Sequence, residues 1–171
     1  IEAHWLFGVQ PNNIDVLIHP QSIVHSMVEF RDGSVIAQLG IADMRLPIQY
    51  ALSYPERWDG NLPGLDLAQC ETLQFQHPDH TQFPCLKLAY RALEGKAELS
   101  IVLNAANEVA VEAFLDGELA FMHIPTIIER TLDARDLMSP MNIRTVGDVR
   151  EIDRWARDFS NEQVTELESK Q

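Results

Sequence analysis

The first third of the chain alternates short apolar runs with residues that favour turns. Apolar runs at 23–30 and 35–39 flank the sequence RDGS at 31–34. An Asp-Gly pair between two such runs predicts a β-hairpin, because glycine adopts the positive φ that a tight turn requires. A shorter apolar run at 14–18 predicts one more strand before the hairpin.

The opening residues carry the apolar spacing of a helix. Ile1, Trp5 and Leu6 share one helical face, and Gly8 stands where a helix commonly ends in a left-handed residue. Because no Ser, Thr, Asp or Asn cap precedes this run, we expect the last two turns of a helix whose start is absent. The alternative is a short helix that frays.

A second helix is predicted at 43–52. We expect it to begin near Leu46 with Pro47 in its first turn, where the missing N–H costs no helical hydrogen bond. Residues 54–83 are punctuated by proline and glycine, which predicts a linker along the surface. Three apolar side chains are expected to anchor this linker: Trp58, Leu65 and Phe75.

From Pro84 onward, apolar residues recur at the spacing of amphipathic helices. Thr145 followed by Asp148 approximates a capping box at the start of the last helix. The predicted helices are 84–94, 101–115, 125–137 and 145–168. Their expected core residues are Val102, Ala106, Val109, Ala113, Ile127, Ile128 and Leu132. Amphipathic helices joined by short loops predict a small four-helix bundle.

These elements together predict an α+β fold in three parts. Residues 1–53 are expected to form part of a domain with a hairpin-containing sheet. Residues 54–83 form the linker, and residues 84–171 form the helical bundle.

Composition narrows the classes of partner. The 171 residues are 46% hydrophobic, which is typical of a globular protein. The net charge of −13 without a basic patch excludes nucleic acid and anionic membrane surfaces as partners. No apolar run approaches the roughly 20 residues of a membrane-spanning helix. Cys70 and Cys85 are too few for a disulfide framework, and we expect buried free thiols in a reducing cytoplasm.

Two histidines lie close together in the stretch VLIHPQSIVHSMVEF. In an uninterrupted strand, His19 and His25 face the same side and can reach one ion. Pro20 interrupts the strand, however, and a metal site needs three or four ligands. Three interpretations remain open: a metal site, buried structural histidines, and a substrate-side role for His25 at the start of a strand.

Other candidate motifs carry less chemistry. His77 and His80 have a spacing found in zinc sites, but they lie in the polar linker, where a solvated loop is the simpler interpretation. Asn104 and Asn107 are unusual inside a helix and are expected to cap it or contact a neighbouring element. The sequence contains no glycine-rich phosphate loop, no GxGxxG and no GxSxG.

Several long phrases carry a family resemblance. LIHPQSIVHSMVEFRDGSVIAQLG, DMRLPIQYAL, FPCLKLAYRALE and LNAANEVAVEAFL occur in this order. They resemble the C-terminal half of the 1-deoxy-D-xylulose 5-phosphate reductoisomerase family, and the similarity runs from Ile1 to about Trp155. This resemblance implies a homodimer that pairs through the sheet of residues 16–40, in the bacterial cytoplasm.

The family converts 1-deoxy-D-xylulose 5-phosphate, a sugar phosphate, into 2-C-methyl-D-erythritol 4-phosphate in non-mevalonate isoprenoid biosynthesis. It uses NADPH and a divalent cation, Mg²⁺ or Mn²⁺. The resemblance places the NADPH-binding domain, the metal carboxylates and the phosphate-binding groups upstream of Ile1. It therefore implies that this chain is inactive alone, and that none of its own residues is a metal ligand. The alternative is a stand-alone dimerisation or scaffold module.

Few site residues follow from the resemblance. His25 matches a histidine that lines the substrate side, where it plays a supporting catalytic role. Met44 matches a residue that approaches the nicotinamide of the cofactor and the substrate. Ala42 replaces a proline of many relatives, and Glu2 continues the helix that carries the last metal carboxylate of the family.

Overall fold

The structure is a computed structural model that describes residues 1–168. Six α-helices and a two-stranded sheet within this range confirm the predicted α+β class. The chain divides into two compact units, one formed by residues 16–78 and the other by residues 1–15 with the chain from residue 79 onward. The last three residues of the bundle predicted at 84–171 lie outside the described residues.

The unit of residues 16–78 contains the predicted hairpin. Strand β1 is Val24–Glu29, strand β2 is Val35–Leu39, and the two pair antiparallel. In the turn, Gly33 has a φ of 82°, and the Asp32 carboxylate accepts a hydrogen bond from the Ser34 amide at 2.9 Å. Hydrogen bonds from the Ser34 hydroxyl, the larger cause, and from the Ser34 amide lower the pKa of Asp32. The hairpin predicted from the Asp-Gly pair is therefore confirmed.

The strand predicted at 14–18 is wrong. Of these residues only Ile18 pairs, in a single antiparallel bridge with Gln76. The segment lies between a 3-10 turn at Pro11–Asn13 and the turn that begins at His19. The apolar run is therefore too short, between two turns, to build a ladder of hydrogen bonds.

Helix α2, Arg45–Ser53, confirms the predicted helix and includes Pro47 in its first turn. Residues 54–83 contain no helix or strand, as expected for the linker. The anchor predicted at Trp58 is wrong, because this side chain is 64% exposed. The backbone of Trp58, rather than its side chain, contacts α2, because the Gln49 side-chain amide donates to the Trp58 carbonyl at 2.8 Å. Leu65 is half-buried.

The helical unit contains the core of the molecule. The helices of this unit are α1 Glu2–Phe7, α3 Pro84–Glu94, α4 Leu99–Leu115, α5 Ile124–Asp136 and α6 Val146–Glu168. Helix α4 packs against both α5 and α6, and α3 packs against α4 and α5. All seven predicted core residues are buried and belong to one apolar cluster. The four-helix bundle is therefore confirmed.

Polar contacts at the helix ends follow the sequence closely. The Thr145 hydroxyl accepts from the Asp148 amide at 3.2 Å, and the Asp148 carboxylate accepts from the Thr145 amide at 2.8 Å, which confirms the capping box. Gly8 ends α1 in the left-handed region, with φ 65°. The expectation for Asn104 is wrong, because its side-chain amide donates to the Glu108 carboxylate in its own helix at 3.0 Å. Asn104 lies five residues after the start of that helix and is therefore not its cap.

Candidate functional site

His25 lies on an irregularity of the hairpin. Val24 pairs with Leu39 and Ser26 pairs with Gln38, so His25 is an additional residue without a partner on β2. Such a β-bulge locally reverses the alternation of side chains and re-aims the bulged residue. The argument that residues six apart share a face therefore fails at this position.

A backbone carbonyl orients the His25 ring. Nε2 lies 2.9 Å from the Ser22 carbonyl oxygen, which can only accept, so Nε2 carries the proton. In the neutral ring, Nδ1 then holds the lone pair. The His25 side chain is exposed, and this nitrogen can accept a hydrogen bond from a ligand hydroxyl. The role of His25 toward a substrate stays a prediction.

Ser22 holds its carbonyl in place through an unusual backbone conformation. Its φ is 50°, in the left-handed region that costs an ordinary L-residue on the order of 1–2 kcal/mol. The Ser22 amide donates to the His19 carbonyl at 3.0 Å, which closes the turn of residues 19–22. Strained residues of this kind persist where their surroundings fix them and are common at functional sites.

Met44 lies just before α2, at the N-cap position, and its side chain is 70% exposed. Its neighbour Asp43 accepts hydrogen bonds from the Arg45 guanidinium, at 3.0 Å from Nε, and from the Arg45 amide at 2.9 Å. These contacts, the guanidinium first, lower the pKa of Asp43 to about 2. The carboxylate thus fixes the first turn of the helix beside Met44. The contact of Met44 with the cofactor stays a prediction.

The structure brings His25 and the start of α2 to the same glycine. A Cβ on the buried Gly40 would lie 3.7 Å from His25 Cε1 and 3.7 Å from Leu46 Cδ2, both ordinary contact distances. Both side chains therefore pack against Gly40, which links the bulge to the helix that follows Met44.

His19 has a different environment from His25. Its Nδ1 donates to the Gln74 carbonyl at 2.7 Å, and its ring stacks on Phe75 with 4.6 Å between centroids. Each of the two histidines thus donates a hydrogen bond from one ring nitrogen, and the two bonds go to different backbone carbonyls. Within residues 1–168, no three His, Cys, Asp or Glu side chains are grouped so that they could hold a metal ion. The structure does not join His19 and His25 in one ligand set.

The remaining candidates are two linker histidines and the two cysteines. His77 and His80 are exposed, and the Asp79 carboxylate between them is engaged by Thr81, which lowers the pKa of Asp79. The expectation of buried thiols is wrong. Cys70 is half-buried and Cys85 is exposed. Partial desolvation of the Cys85 thiol still raises its pKa, which disfavours a nucleophilic thiolate.

Sequence reasoning missed the residues that hold these side chains. The Ser22 carbonyl and the bulge leave no sequence signal, and the contact between His19 and Gln74 spans 55 residues. Asp43, in contrast, had a readable signal, since Asp just before a helix commonly accepts from the amides of its first turn.

Comparison with known proteins decides the family. The family model described as "DXP reductoisomerase C-terminal domain" matches residues 39–159. This chain belongs to that family. The match covers α2 to most of α6, and the sequence resemblance to the reductoisomerases is confirmed.

Relatives extend the similarity beyond the family model. The chain is 53% identical over 162 residues to the 1-deoxy-D-xylulose 5-phosphate reductoisomerase of Desulforamulus reducens, and 51% identical over 166 residues to that of Heliobacterium modesticaldum. These matches include 94% and 97% of the chain but only 41% and 42% of the relatives. The chain therefore spans about two fifths of the length of the curated relatives it matches.

Solved structures agree with the sequence comparison. A crystal structure of DOX-P reductoisomerase in complex with NADPH, fosmidomycin and magnesium matches 97% of this chain with a TM-score of 0.90 and 40% identity. The reductoisomerase from Zymomonas mobilis in complex with NADPH matches 95% of it with a TM-score of 0.85. The chain covers 42% of each of these structures.

None of the helices within residues 1–168 combines the length and apolar character needed to cross a bilayer.

Proposed function

We propose that this chain forms the C-terminal part of a 1-deoxy-D-xylulose 5-phosphate reductoisomerase and has no activity alone. The whole enzyme would convert this sugar phosphate, NADPH and a proton into 2-C-methyl-D-erythritol 4-phosphate and NADP⁺. The observation that carries the proposal is the 53% identity to a named reductoisomerase over 94% of the chain. The matching fold of a structure that binds NADPH and magnesium supports it further.

We infer that the parts of the whole enzyme supply different groups. Within residues 1–168, no three His, Cys, Asp or Glu side chains are grouped so that they could hold Mg²⁺ or Mn²⁺, and no step of the reaction is assigned to a metal held by these residues. In the proposal, the upstream part of the enzyme supplies the metal ligands and the NADPH-binding domain. The C-terminal part is divided into a portion of the catalytic domain at 1–53, a linker at 54–83 and a supporting bundle at 84–171.

Two side chains of this part are proposed to reach the reacting molecules. His25 would accept a hydrogen bond from a substrate hydroxyl through Nδ1, which the bond from Nε2 to Ser22 leaves available. Met44 would contact the nicotinamide, and its 70% exposure and soft thioether suit a flat apolar ring. Both act by contact and orientation, and the chemistry itself belongs to groups outside this chain.

A chimera tests this function directly. The matching C-terminal part of the Desulforamulus reducens enzyme is replaced by this chain, and NADPH oxidation is followed with substrate and Mg²⁺ or Mn²⁺. We expect the chimera to turn over within about an order of magnitude of its parent, and the chain alone to show no turnover. A chimera that folds and binds NADPH but remains inactive, beside an active parent, contradicts the proposal. Turnover by the chain alone contradicts its inactivity.

The second candidate is a stand-alone dimerisation or scaffold module in the cytoplasm, a compartment that free cysteines fit. The observation that favours association is the exposure of apolar residues on the hairpin. Val28 is 57% exposed, Val35 53% and Ile36 65%. An apolar two-stranded sheet with open edges invites pairing with a second copy. The homodimer proposed through residues 16–40 belongs to both candidates, and light scattering of the chain alone tests it. An active chimera favours the enzyme over the module.

A further inference from the structure

The turn of residues 19–22 is fastened to a distant part of the chain. The His19 ring donates from Nδ1 to the Gln74 carbonyl at 2.7 Å and stacks on Phe75 with an interplanar angle of 14°. Beside it, Ile18 and Gln76 exchange backbone hydrogen bonds of 2.8 and 3.0 Å. These contacts join a catalytic-domain segment to the linker that follows α2.

A glutamine pair completes the attachment. The Gln21 side chain donates to the Gln74 side-chain oxygen at 3.3 Å and accepts from the Gln74 amide at 3.2 Å. We call the set of His19, Gln21, Gln74 and Phe75, with the bridge between Ile18 and Gln76, the linker clasp. All of its members belong to the same compact unit, residues 16–78.

The clasp acts on the residue that orients His25. Its first member, His19, accepts the hydrogen bond of the Ser22 amide through its carbonyl, and Ser22 then presents its own carbonyl to the His25 ring. Ser22 keeps a positive φ that costs energy, and such a conformation persists only where neighbouring contacts impose it. The clasp supplies these contacts from one side of the turn.

We propose that His19 is a positioning residue, which holds the turn of residues 19–22 against the linker so that the Ser22 carbonyl orients His25. The expected effect of His19 on turnover rests on the proposed function, whereas its effect on the turn and on the His25 ring does not. The His19 ring contacts the linker residues Gln74 and Phe75. Its Nδ1 is committed to Gln74, and its Nε2 is buried without a hydrogen-bond partner in the part of the chain that the structure describes.

The first test measures the clasp without any activity. His19→Phe keeps a ring to stack on Phe75 but removes the donor, and His19→Asn restores an amide donor near the position of Nδ1. In the full-length chimera, we expect hydrogen exchange of the Ile18 and Gln76 amides to become about tenfold faster in His19→Phe, the effect of one lost hydrogen bond. His19→Asn should recover most of the protection. His77→Phe, in an exposed residue of the same linker, should exchange like the wild type.

The second test measures the orientation of His25. The ¹⁵N shifts of the His25 ring report the proton on Nε2, and we expect His19→Phe to shift them toward a mixture of tautomers. In the active chimera, kcat should fall about tenfold in His19→Phe with an unchanged KM for NADPH, and His19→Asn should restore most of it. His77→Phe should change neither quantity.

The outcomes separate the two proposals. Unchanged exchange in His19→Phe overturns the clasp. Faster exchange with unchanged His25 shifts overturns the positioning role, and so does unchanged kcat in an active chimera. A wild-type chimera without turnover speaks against the proposed function, and the exchange and ring measurements then still decide the role of His19.

Discussion

Arg135 and Glu98 form an ion pair inside the helical bundle, with 3.3 Å between Arg135 Nη2 and Glu98 Oε1. Their side chains are 7% and 2% exposed, and Glu98 also accepts from the Met141 amide at 3.2 Å. The Arg135 guanidinium lies over the Trp155 ring, 5.6 Å from its centroid. The pair connects Glu98, the residue before α4, to Arg135 in α5. Nothing in the sequence around these two residues indicates that their side chains are buried.

Removal of one partner from this pair should be costly. We expect Arg135→Met to lower the free energy of unfolding by about 3–5 kcal/mol, because it leaves the Glu98 carboxylate buried without its counter-charge. Urea unfolding measures the change. The double variant with Glu98→Leu should lose much less than the sum of the single changes. If the losses in the free energy of unfolding of the two single variants simply add in the double variant, the two side chains do not interact.

Arg157→Met provides the matched control for this prediction. Arg157 pairs with Glu108 and Asp153 where its side chain is 35% exposed. An exposed pair of this kind contributes only about 0–1 kcal/mol, so a loss of 3 kcal/mol here would contradict the distinction between the two sites.

A hydroxyl pair in the core should respond asymmetrically to mutation. Thr131 Oγ1 donates to the Ile127 carbonyl at 2.8 Å, which leaves it to accept from the Ser160 hydroxyl at 3.0 Å. We expect Thr131→Val to cost about 1–3 kcal/mol, because the buried Ser160 hydroxyl loses its acceptor. Ser160→Ala should cost less, since Thr131 keeps its bond to Ile127. Thermal or urea unfolding of both variants checks the order, and the reverse order would refute it.

The hairpin turn should not tolerate a side chain at Gly33. Its φ of 82° costs an L-residue on the order of 1–2 kcal/mol, although a Cβ there meets nothing within 4 Å. We therefore expect Gly33→Ala to accelerate amide exchange across β1 and β2. Gly64→Ala, where the space is equally open and φ is not positive, is the control. Equal effects of the two changes would rule out backbone strain as the cause.

Acid should release the start of α2. The Asp43 pKa is lowered from 3.8 to about 2, so the folded state prefers the carboxylate. A group whose pKa is depressed by folding stabilises the structure above its ordinary pKa and loses this contribution as the pH falls toward the folded value. We expect the Arg45 amide shift to move between about pH 4 and pH 2. Asp43→Asn should abolish this titration, and a transition centred near the ordinary value would contradict the contact.

His25→Phe tests the proposed substrate-side role. The variant keeps an aromatic ring against Gly40 but removes both ring nitrogens. In the chimera we expect kcat/KM to fall about tenfold or more, equivalent to at least about 1.4 kcal/mol of lost stabilisation. The exposed His77→Phe serves as the control. An unchanged kcat/KM in His25→Phe would remove His25 from the proposed site.

Sequence reasoning succeeded where one local rule was sufficient. The turn at Asp32 and Gly33, the start of α3 at Pro84 and the buried face of α4 each depend on residues within a few positions of one another. It failed where an apolar run had to find a partner, as at residues 14–18. It also failed at Trp58, because a side chain in a linker is buried only if another element offers it a surface.

The hairpin, the helices, the apolar core of the bundle and the family could be predicted from local sequence, because periodicity, turn residues and long shared phrases are properties of neighbouring residues. The surroundings of the two histidines depend instead on tertiary contacts. The bulge that re-aims His25 arises from the register between two strands, and the bond that holds His19 spans 55 residues. Contacts of this kind depend on which segments meet in space, and the spacing of residues along one segment does not encode that choice.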